Sequence, residues 1–482
     1  MKTQIIAGAC LLIVATAVWA VLQRYQSAAV SDKGIAMTQS ENTGPTMKAG
    51  ASQRDITPPV GEIIYQPPRP SVGVNDPLQL AVLVIEDRLG QRIGIIRFDL
   101  LGMNLEQTEA WRKTAKERFG IDHLLLNSSH PHSVPYFTGR SEEDTPHGHW
   151  INSVQDKIME ALAEAVDSLG PARLRVGRAE TQVGYNRRVM VADGSVIMAP
   201  NADGSLVPWV NVLVAERADG SPLAVLFEHA AHPVIVPDTS GLISADYPGG
   251  AVVRIRELLG EDVVPLFVQG CGGDVNAYPL RTTHENADKV GRTLGDAVAE
   301  AVRTAVLITA DEFTVREVTH VDLPSASLPS MEDLAKVRKH LERIQSTEPS
   351  DENKGRLDRL AEAEDMVRRG VERGKPRRLD VTAIMLGKEW ILVALPHEMF
   401  SEYELWVDAN APFEHNMTLA YTNFGQGYIA DDASLAMGPK GGYEAGKLPL
   451  WWACGALSEW FGPPEVGAEI IIKKAIASLW EE

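Results

Sequence analysis

Leu124-Leu125-Leu126 is a short apolar run that reads as a buried strand, and it gives way at once to Asn127-Ser128-Ser129-His130-Pro131-His132-Ser133. A buried strand needs a core around it, and the mouth of this one carries two histidines. Side chains alternate along a strand, so His130 and His132 are expected on one face. Two imidazoles placed that way can share a metal, or divide the work between ligand and proton carrier. An isolated His-x-His is usually a pair of solvent-facing loop residues; partners further along the chain give this one its weight.

The 482 residues suffice for one large or two ordinary domains. A hydrophobic content of 44% with 23% charged residues describes a globular protein. The formal charge of −19, with no Lys/Arg stripe to offset it, argues against nucleic acid as a partner. Three cysteines exclude a disulfide framework and any Cys-rich zinc module, so a metal would sit on His and carboxylate. Cys10 lies in an apolar N-terminal run, which leaves Cys271 and Cys454 as the one pair to consider.

That run, Ile5 to Leu22, follows Lys2 and precedes Gln23-Arg24. It is long enough to span a bilayer and is expected to be an uncleaved membrane anchor or a signal peptide, residues 1–22. A Ser/Thr/Gln-rich tether, 23–47, leads to the body, 48–482. The body is then exported to a periplasm or cell exterior, membrane-anchored or secreted.

Within the body, Leu80 to Glu86 and Arg92 to Asp99 flank Asp87-Arg88-Leu89-Gly90, a hairpin signal. Glu106 to Phe119 and Ile151 to Leu169 read as helices, the second through Val154, Ile158, Leu162 and Ala165. Strand-like runs follow at Val210 to Ala215, Leu223 to Phe227 and Val263 to Val268, with a helix at Gly249 to Leu259. This alternation predicts an α/β class, a mixed-sheet α/β or α+β hydrolase core. From about 330 to 374, Leu334, Val337, Leu341 and Ile344, then Leu357, Leu360, Met366 and Val367, predict an inserted helical hairpin. A last helix is expected from Pro464 to Trp480.

Further chemistry sits at other strand ends. Phe227-Glu228-His229-Ala230-Ala231-His232-Pro233 supplies a second His pair. Two Gly-rich turns carry Asp246 and Asp274, the latter in Gly272-Gly273-Asp274-Val275-Asn276. Trp390 to Leu395 ends in Pro396-His397-Glu398, where Glu398 is either a third ligand or the cap of a helix over Met399 to Val407. Tyrosines occupy the loop Tyr421-Thr422-Asn423-Phe424-Gly425-Gln426-Gly427-Tyr428, and Tyr443-Glu444 follows. Two imidazoles, a carboxylate and an open position describe a catalytic zinc rather than a structural one.

In this order the segments resemble the neutral/alkaline, non-lysosomal ceramidase family, from Asp55-Ile56-Thr57-Pro58-Pro59-Val60-Gly61 to about Tyr443. The resemblance implies one Zn2+ per chain, held by His130, His232, Glu398 and Tyr428. It makes His132 a catalytic histidine beside the metal, and Arg187, in Gly184-Tyr185-Asn186-Arg187-Arg188, a substrate-polarising group. Tyr443 becomes a second active-site tyrosine, with Asp246, Asp274 and Asn276 behind the ligands. The activity implied is cleavage of an N-acyl amide, ceramide-like or another lipid amide, by metal-activated water. Two departures separate the chain from the family. The family's Ser-Asp-Asn element reads Ala245-Asp246-Tyr247, so Ser244 is displaced by one and is not expected to inherit the serine's role. The family's C-terminal immunoglobulin-like domain does not follow Tyr443. Both favour a diverged substrate. The alternatives are an exported esterase or deacetylase acting on envelope glycans, and a non-catalytic, membrane-tethered binding protein on the same fold. His147 and His149 read as loop residues near the cleft, and Glu228, His229 and His397 as neighbours of the ligands.

Overall fold

The computed structural model describes residues 46–481, apart from 66–67, 138–142, 238, 348, 350, 426 and 447–462. The apolar run Ile5 to Leu22, nearly all of the tether and Cys454 lie outside the described residues. Among the described residues, no helix is long and apolar enough to cross a membrane.

Two sheets stack at the centre. The larger, nine-stranded and mixed, runs in the order Val264–Gln269, Pro222–His229, Trp209–Arg217, Gly170–Glu180, Met47–Asp55, Gln79–Glu86, Arg92–Phe98, His123–Ser128, with Val306–Leu307 added beside Gly170–Glu180. Its outermost pair at each edge is parallel and the remaining pairs are antiparallel. The smaller sheet orders Phe313–Leu323, Arg377–Leu386, Trp390–Ala394 and His415–Leu419, again with a parallel pair at one edge.

Strand alternation explains the layering. In Gln79–Glu86, Ala81, Leu83 and Ile85 face the smaller sheet, while Leu80, Val82 and Val84 face the helices Leu105–Phe119 and Pro146–Asp167. The smaller sheet divides likewise: Ile384, Leu386, Leu392 and Met417 point inward, and Val381, Ala383, Ile391 and Val393 meet the helices Ser401–Asn410 and Ala468–Ala477. Helices Tyr247–Leu259 and His284–Thr304 cover the rest of the large sheet. The result is helices, sheet, sheet, helices, with strands such as Gln79–Glu86 and Trp390–Ala394 buried on both faces, as their continuous apolar runs require.

The hairpin insertion is present as Met331–Thr347 and Asp351–Arg368, placed between two adjacent antiparallel strands and closed over its own small core of Leu334, Leu341, Leu360 and Ala363. Three local expectations need correction. The second helix begins at Pro146, not Ile151, because the Thr145 side chain accepts the Gly148 N–H and proline suits the first turn. His147 and His149 therefore sit in a helix rather than a loop, paired with Glu62 at 2.8 Å and Asp144 at 2.9 Å. Glu398 caps no helix, since Ser401–Asn410 starts after Phe400 and Glu398–Met399 is a short strand parallel to Tyr428–Ile429. The last helix is shorter than expected, Ala468–Ala477.

Candidate metal centre

The two edges of the large sheet come together at one end through a single side chain. Asn127, in the strand His123–Ser128, accepts the Gln269 N–H at 2.8 Å, and its amide donates to the Gln269 carbonyl at 3.3 Å and the Ala420 carbonyl at 2.7 Å. Asn127 thus joins both edge strands to the end of the smaller sheet. The ligand candidates leave from the carboxyl ends of strands around this junction.

His130 and His132 do converge, but not by pleat alternation. The strand ends at Ser128, and His130 lies in the left-handed region at φ 67°. Its amide donates to the Leu100 carbonyl at 3.1 Å. The rings of His130 and His132 are 5.2 Å apart, and that of His232 lies 5.1 Å from His130. One nitrogen from each of the three falls within 4.8 Å of the others, a grouping that could hold a metal ion. His232 follows the strand Pro222–His229 and is fixed by its amide to Val275 O (2.9 Å) and by its carbonyl, which accepts the Ala277 N–H (3.1 Å).

Tautomers follow from the outward-facing bonds. His130 Nδ1 donates to the Leu101 carbonyl and His232 Nδ1 to the Gly272 carbonyl, the latter at 2.7 Å. Each ring therefore presents an Nε2 lone pair inward, the orientation that carbonyl partners impose on metal-binding histidines. Between them lies Glu398, its Oε2 3.1 Å from His232 Nε2 and 3.5 Å from His130 Nε2. Burial drives His130 down to about 4 and also lowers His232, so both rings are neutral near pH 7. Burial alone would raise the Glu398 carboxyl, but His130, His232 and Arg187 around it bring it down to about 2. Two lone pairs and a carboxylate then point at one another, an arrangement that a cation satisfies and that hydrogen bonding alone does not. The donor set fits a divalent metal of the N/O-ligated class.

On one flank stands Arg187, buried in the strand Gly184–Met190. Its Nε donates to Glu444 (2.7 Å), Nη1 to Asn276 (2.8 Å) and Nη2 to the Gly273 carbonyl (2.8 Å), and its guanidinium lies 5.3 Å from the Tyr428 ring centre. Burial opposes its charge, but Tyr428 and Glu444 raise its pKa well above the ordinary value. The Tyr428 side chain hydrogen-bonds to Arg187 and Tyr443, and the two tyrosine rings are 5.6 Å apart. Tyr443 is 38% exposed, so this flank opens to solvent. On the other flank Tyr65 packs edge-on to His132 at 5.3 Å and to the exposed Tyr136 at 4.8 Å.

The remaining candidates play supporting parts. Asn276 accepts from Arg187 through its side chain and pairs with His232 in a short β-bridge. Asp274 accepts from the Ser401 amide (2.7 Å) and the Asn186 side chain (2.9 Å), tying the glycine loop to the neighbouring helix and strand. Asp246 accepts the Tyr247 and Val236 amides and so anchors the segment after His232. Ser244 donates to Asp76 at 2.6 Å, with no histidine in that pair. His229 and His397 bond to backbone carbonyls, Trp209 O and Arg378 O, at 2.8 Å each. Glu228 forms a buried carboxyl pair with Glu404, which accepts the Cys271 amide at 3.0 Å beneath the glycine loop. Sequence reasoning gave no role to Tyr421, Tyr65, Glu404 or Glu444. Tyr421 stands in a tyrosine-bearing loop visible in the sequence, and Glu444 beside Tyr443; Tyr65 and Glu404 carry no local signal.

This layered fold is similar to that of neutral ceramidase. The neutral ceramidase of Pseudomonas aeruginosa superposes with a TM-score of 0.63 at 17% identity, covering 91% of this chain and 75% of that one. A ceramidase structure described as complexed with C2 superposes with a TM-score of 0.64 at 16% identity, covering 90% and 75%. No family model matches the sequence, and no curated protein matches it.

Proposed function

We propose that this protein is a zinc-dependent hydrolase that cleaves an N-acyl amide, ceramide-like or of another lipid, with His130, His232 and Glu398 holding the metal. The convergence of two carbonyl-locked imidazoles on the Glu398 carboxylate carries this reading. Bound zinc lowers the pKa of a water to about 7 and supplies the nucleophile at neutral pH without a serine. Ser244, committed to Asp76, has no part in the reaction.

The chain's own groups divide the rest. Arg187 cannot swing, being held on three sides, so it acts from a fixed position by polarising the Tyr428 hydroxyl, which then donates to the developing oxyanion. Tyr443, at the solvent-facing edge, donates to the same oxygen. His132, kept neutral by burial first and then by its two histidine neighbours, takes a proton from the attacking water and passes it to the leaving amine. The aromatic borders, Tyr65 with Tyr136 and Tyr428 with Tyr443, suit an apolar acyl chain. Export through the N-terminal apolar run would place the enzyme beside such lipids.

The test is fatty-acid release from a panel of N-acyl amides by zinc-loaded protein. Turnover is expected to vanish with a chelator or in His130→Ala and to return when zinc is restored to the wild type. His132→Ala should keep its zinc and lose ~10²–10⁴-fold in rate. Loss of zinc instead would make His132 a third histidine ligand. Chelator-resistant turnover, or none with any amide, would overturn the assignment.

A further inference from the structure

Tyr421 is the phenol drawn furthest into the histidine cluster. Its hydroxyl lies 3.5 Å from His232 Nε2, the nitrogen that faces Glu398, and its ring centre lies 4.7 Å from His130 and 5.9 Å from His232. His232 Nδ1 donates to Gly272 O, so Nε2 is an acceptor and the phenol oxygen sits on the metal-facing side of the ring. The Tyr428 hydroxyl, by contrast, is engaged with Arg187 and Tyr443, and its ring centre is 6.1 Å from that of His232.

The backbone around Tyr421 is built to hold that position. Its φ is 51°, a region an aromatic residue rarely occupies and which glycine or asparagine would fill more readily. The amide of Tyr421 donates to the carbonyl of His397, the residue before Glu398, at 2.9 Å. Its carbonyl accepts the Ser128 N–H, at the end of the strand leading to His130, at 3.2 Å. Tyr421 is thus tied to the segments that carry two of the three ligands, and its buried ring stands 5.9 Å from that of the third, His232.

We propose that the Tyr421 phenol oxygen is itself a metal ligand in this chain. The proposal rests on the metal-binding reading above and goes beyond it, because that reading names no tyrosine ligand and the resemblance drawn from the sequence gives that position to Tyr428. Holding a metal, the phenol would release its proton to solvent, and the resulting phenolate would complete the set of two imidazoles and a carboxylate.

Copper(II) loaded in place of zinc gives a direct readout, since a phenolate on Cu(II) produces a ligand-to-metal charge-transfer band in the visible that imidazole and carboxylate ligands do not. The full-length protein with one copper per chain should show the band. Tyr421→Phe should lose it while retaining the copper, and Tyr428→Phe should keep it. The Tyr428→Phe/Tyr443→Phe double variant serves even if Tyr421→Phe fails to fold: a band that persists there supports Tyr421, and its loss with copper retained overturns the proposal. A band that survives Tyr421→Phe, or stoichiometric copper without any band in the wild type, overturns it too while leaving the metal site standing. Failure of the wild type to bind metal at all would instead bring down the hydrolase reading, and this proposal with it.

Discussion

Gly273→Ala probes the seam between the glycine loop and the strand that carries Glu398. A Cβ at Gly273 would fall 2.5 Å from the Glu398 carbonyl oxygen and 2.8 Å from that of Met399, both backbone atoms that cannot rotate away. The loop or the short strand must therefore shift. The Gly273 amide donates to Met399 O at 2.8 Å across this seam, and weakening that bond costs about 0.5–1.5 kcal/mol. Forcing a methyl into a packed seam costs about 1–3 kcal/mol more, so a destabilisation of about 2–4 kcal/mol is expected. The displacement also moves Glu398 away from His232 and disturbs Gly273 O, which accepts from Arg187. Zinc affinity should fall about 10–100-fold, the range for lost support behind metal ligands. Urea unfolding of the metal-free protein measures the first effect and zinc titration against a competing chelator the second. Gly102→Ala is the control: no atom lies within 4 Å of its Cβ, so its effect should stay within about 0.5 kcal/mol. If Gly273→Ala behaves like the control in both assays, the loop is not pinned to Glu398 and the account of the centre's rigidity fails.

Ser244→Ala should cost about 1–3 kcal/mol, because it removes a donor from the buried Asp76 carboxyl, yet leave turnover of the zinc-loaded enzyme close to wild type. An acyl adduct trapped on Ser244, or a collapse in rate, would show that the reaction passes through a serine. Glu228→Gln tests the paired carboxyls: burial raises Glu228 well above its ordinary value and Glu404 to about 7, so the fold holds a proton more tightly than the unfolded chain does. That stabilisation is complete below about 4.5 and is lost as pH rises through about 7. A glutamine keeps the bond to Asn211 and donates to Glu404 without needing the proton, so the metal-free variant should match wild type at pH 5 and exceed it by about 1–3 kcal/mol at pH 8. Parallel stability-versus-pH curves for the two proteins would refute the shared proton.

The sequence shows its strands most clearly where both faces are buried, because continuous apolar runs such as Leu223 to Phe227 admit few other readings. Helix starts were harder to place: Thr145-Pro146 is a cap and first turn, but the two histidines after it drew attention to side-chain chemistry instead. The ligand candidates His130, His232 and Glu398 were legible because each stands just past an apolar strand. Their convergence was not, since it depends on which strands lie at the sheet edges and on Asn127 drawing those edges together. The same-face argument expects His130 and His132 together by pleat alternation, whereas a left-handed residue past the strand end is what sets their rings 5.2 Å apart. Tyr421 lies in a loop whose tyrosines the sequence shows, but its approach to His232, like that of Glu404 to Glu228, arises only between segments distant in the chain.

The left-handed residues bear on how the centre is held before any ligand arrives. His130, His397, Tyr421 and Asn423 have φ of 67°, 68°, 51° and 69°, and none is glycine. Asparagine tolerates this region, but each of the other three costs roughly 1–2 kcal/mol relative to ordinary backbone and needs compensation from its surroundings. The compensation is a closed set of backbone bonds: His130 N to Leu100 O, His397 N to Phe424 O, Tyr421 N to His397 O, and Asn423 N to Leu126 O at 2.6 Å. Two of the four side chains reinforce that mesh, His397 on Arg378 O and Asn423 accepting the Leu126 amide. The other two, His130 and Tyr421, turn inward to His232 and Glu398. Strain offset by the mesh and directed through these two rings fixes the donor geometry within the protein itself, which is what a catalytic metal site with an open position requires.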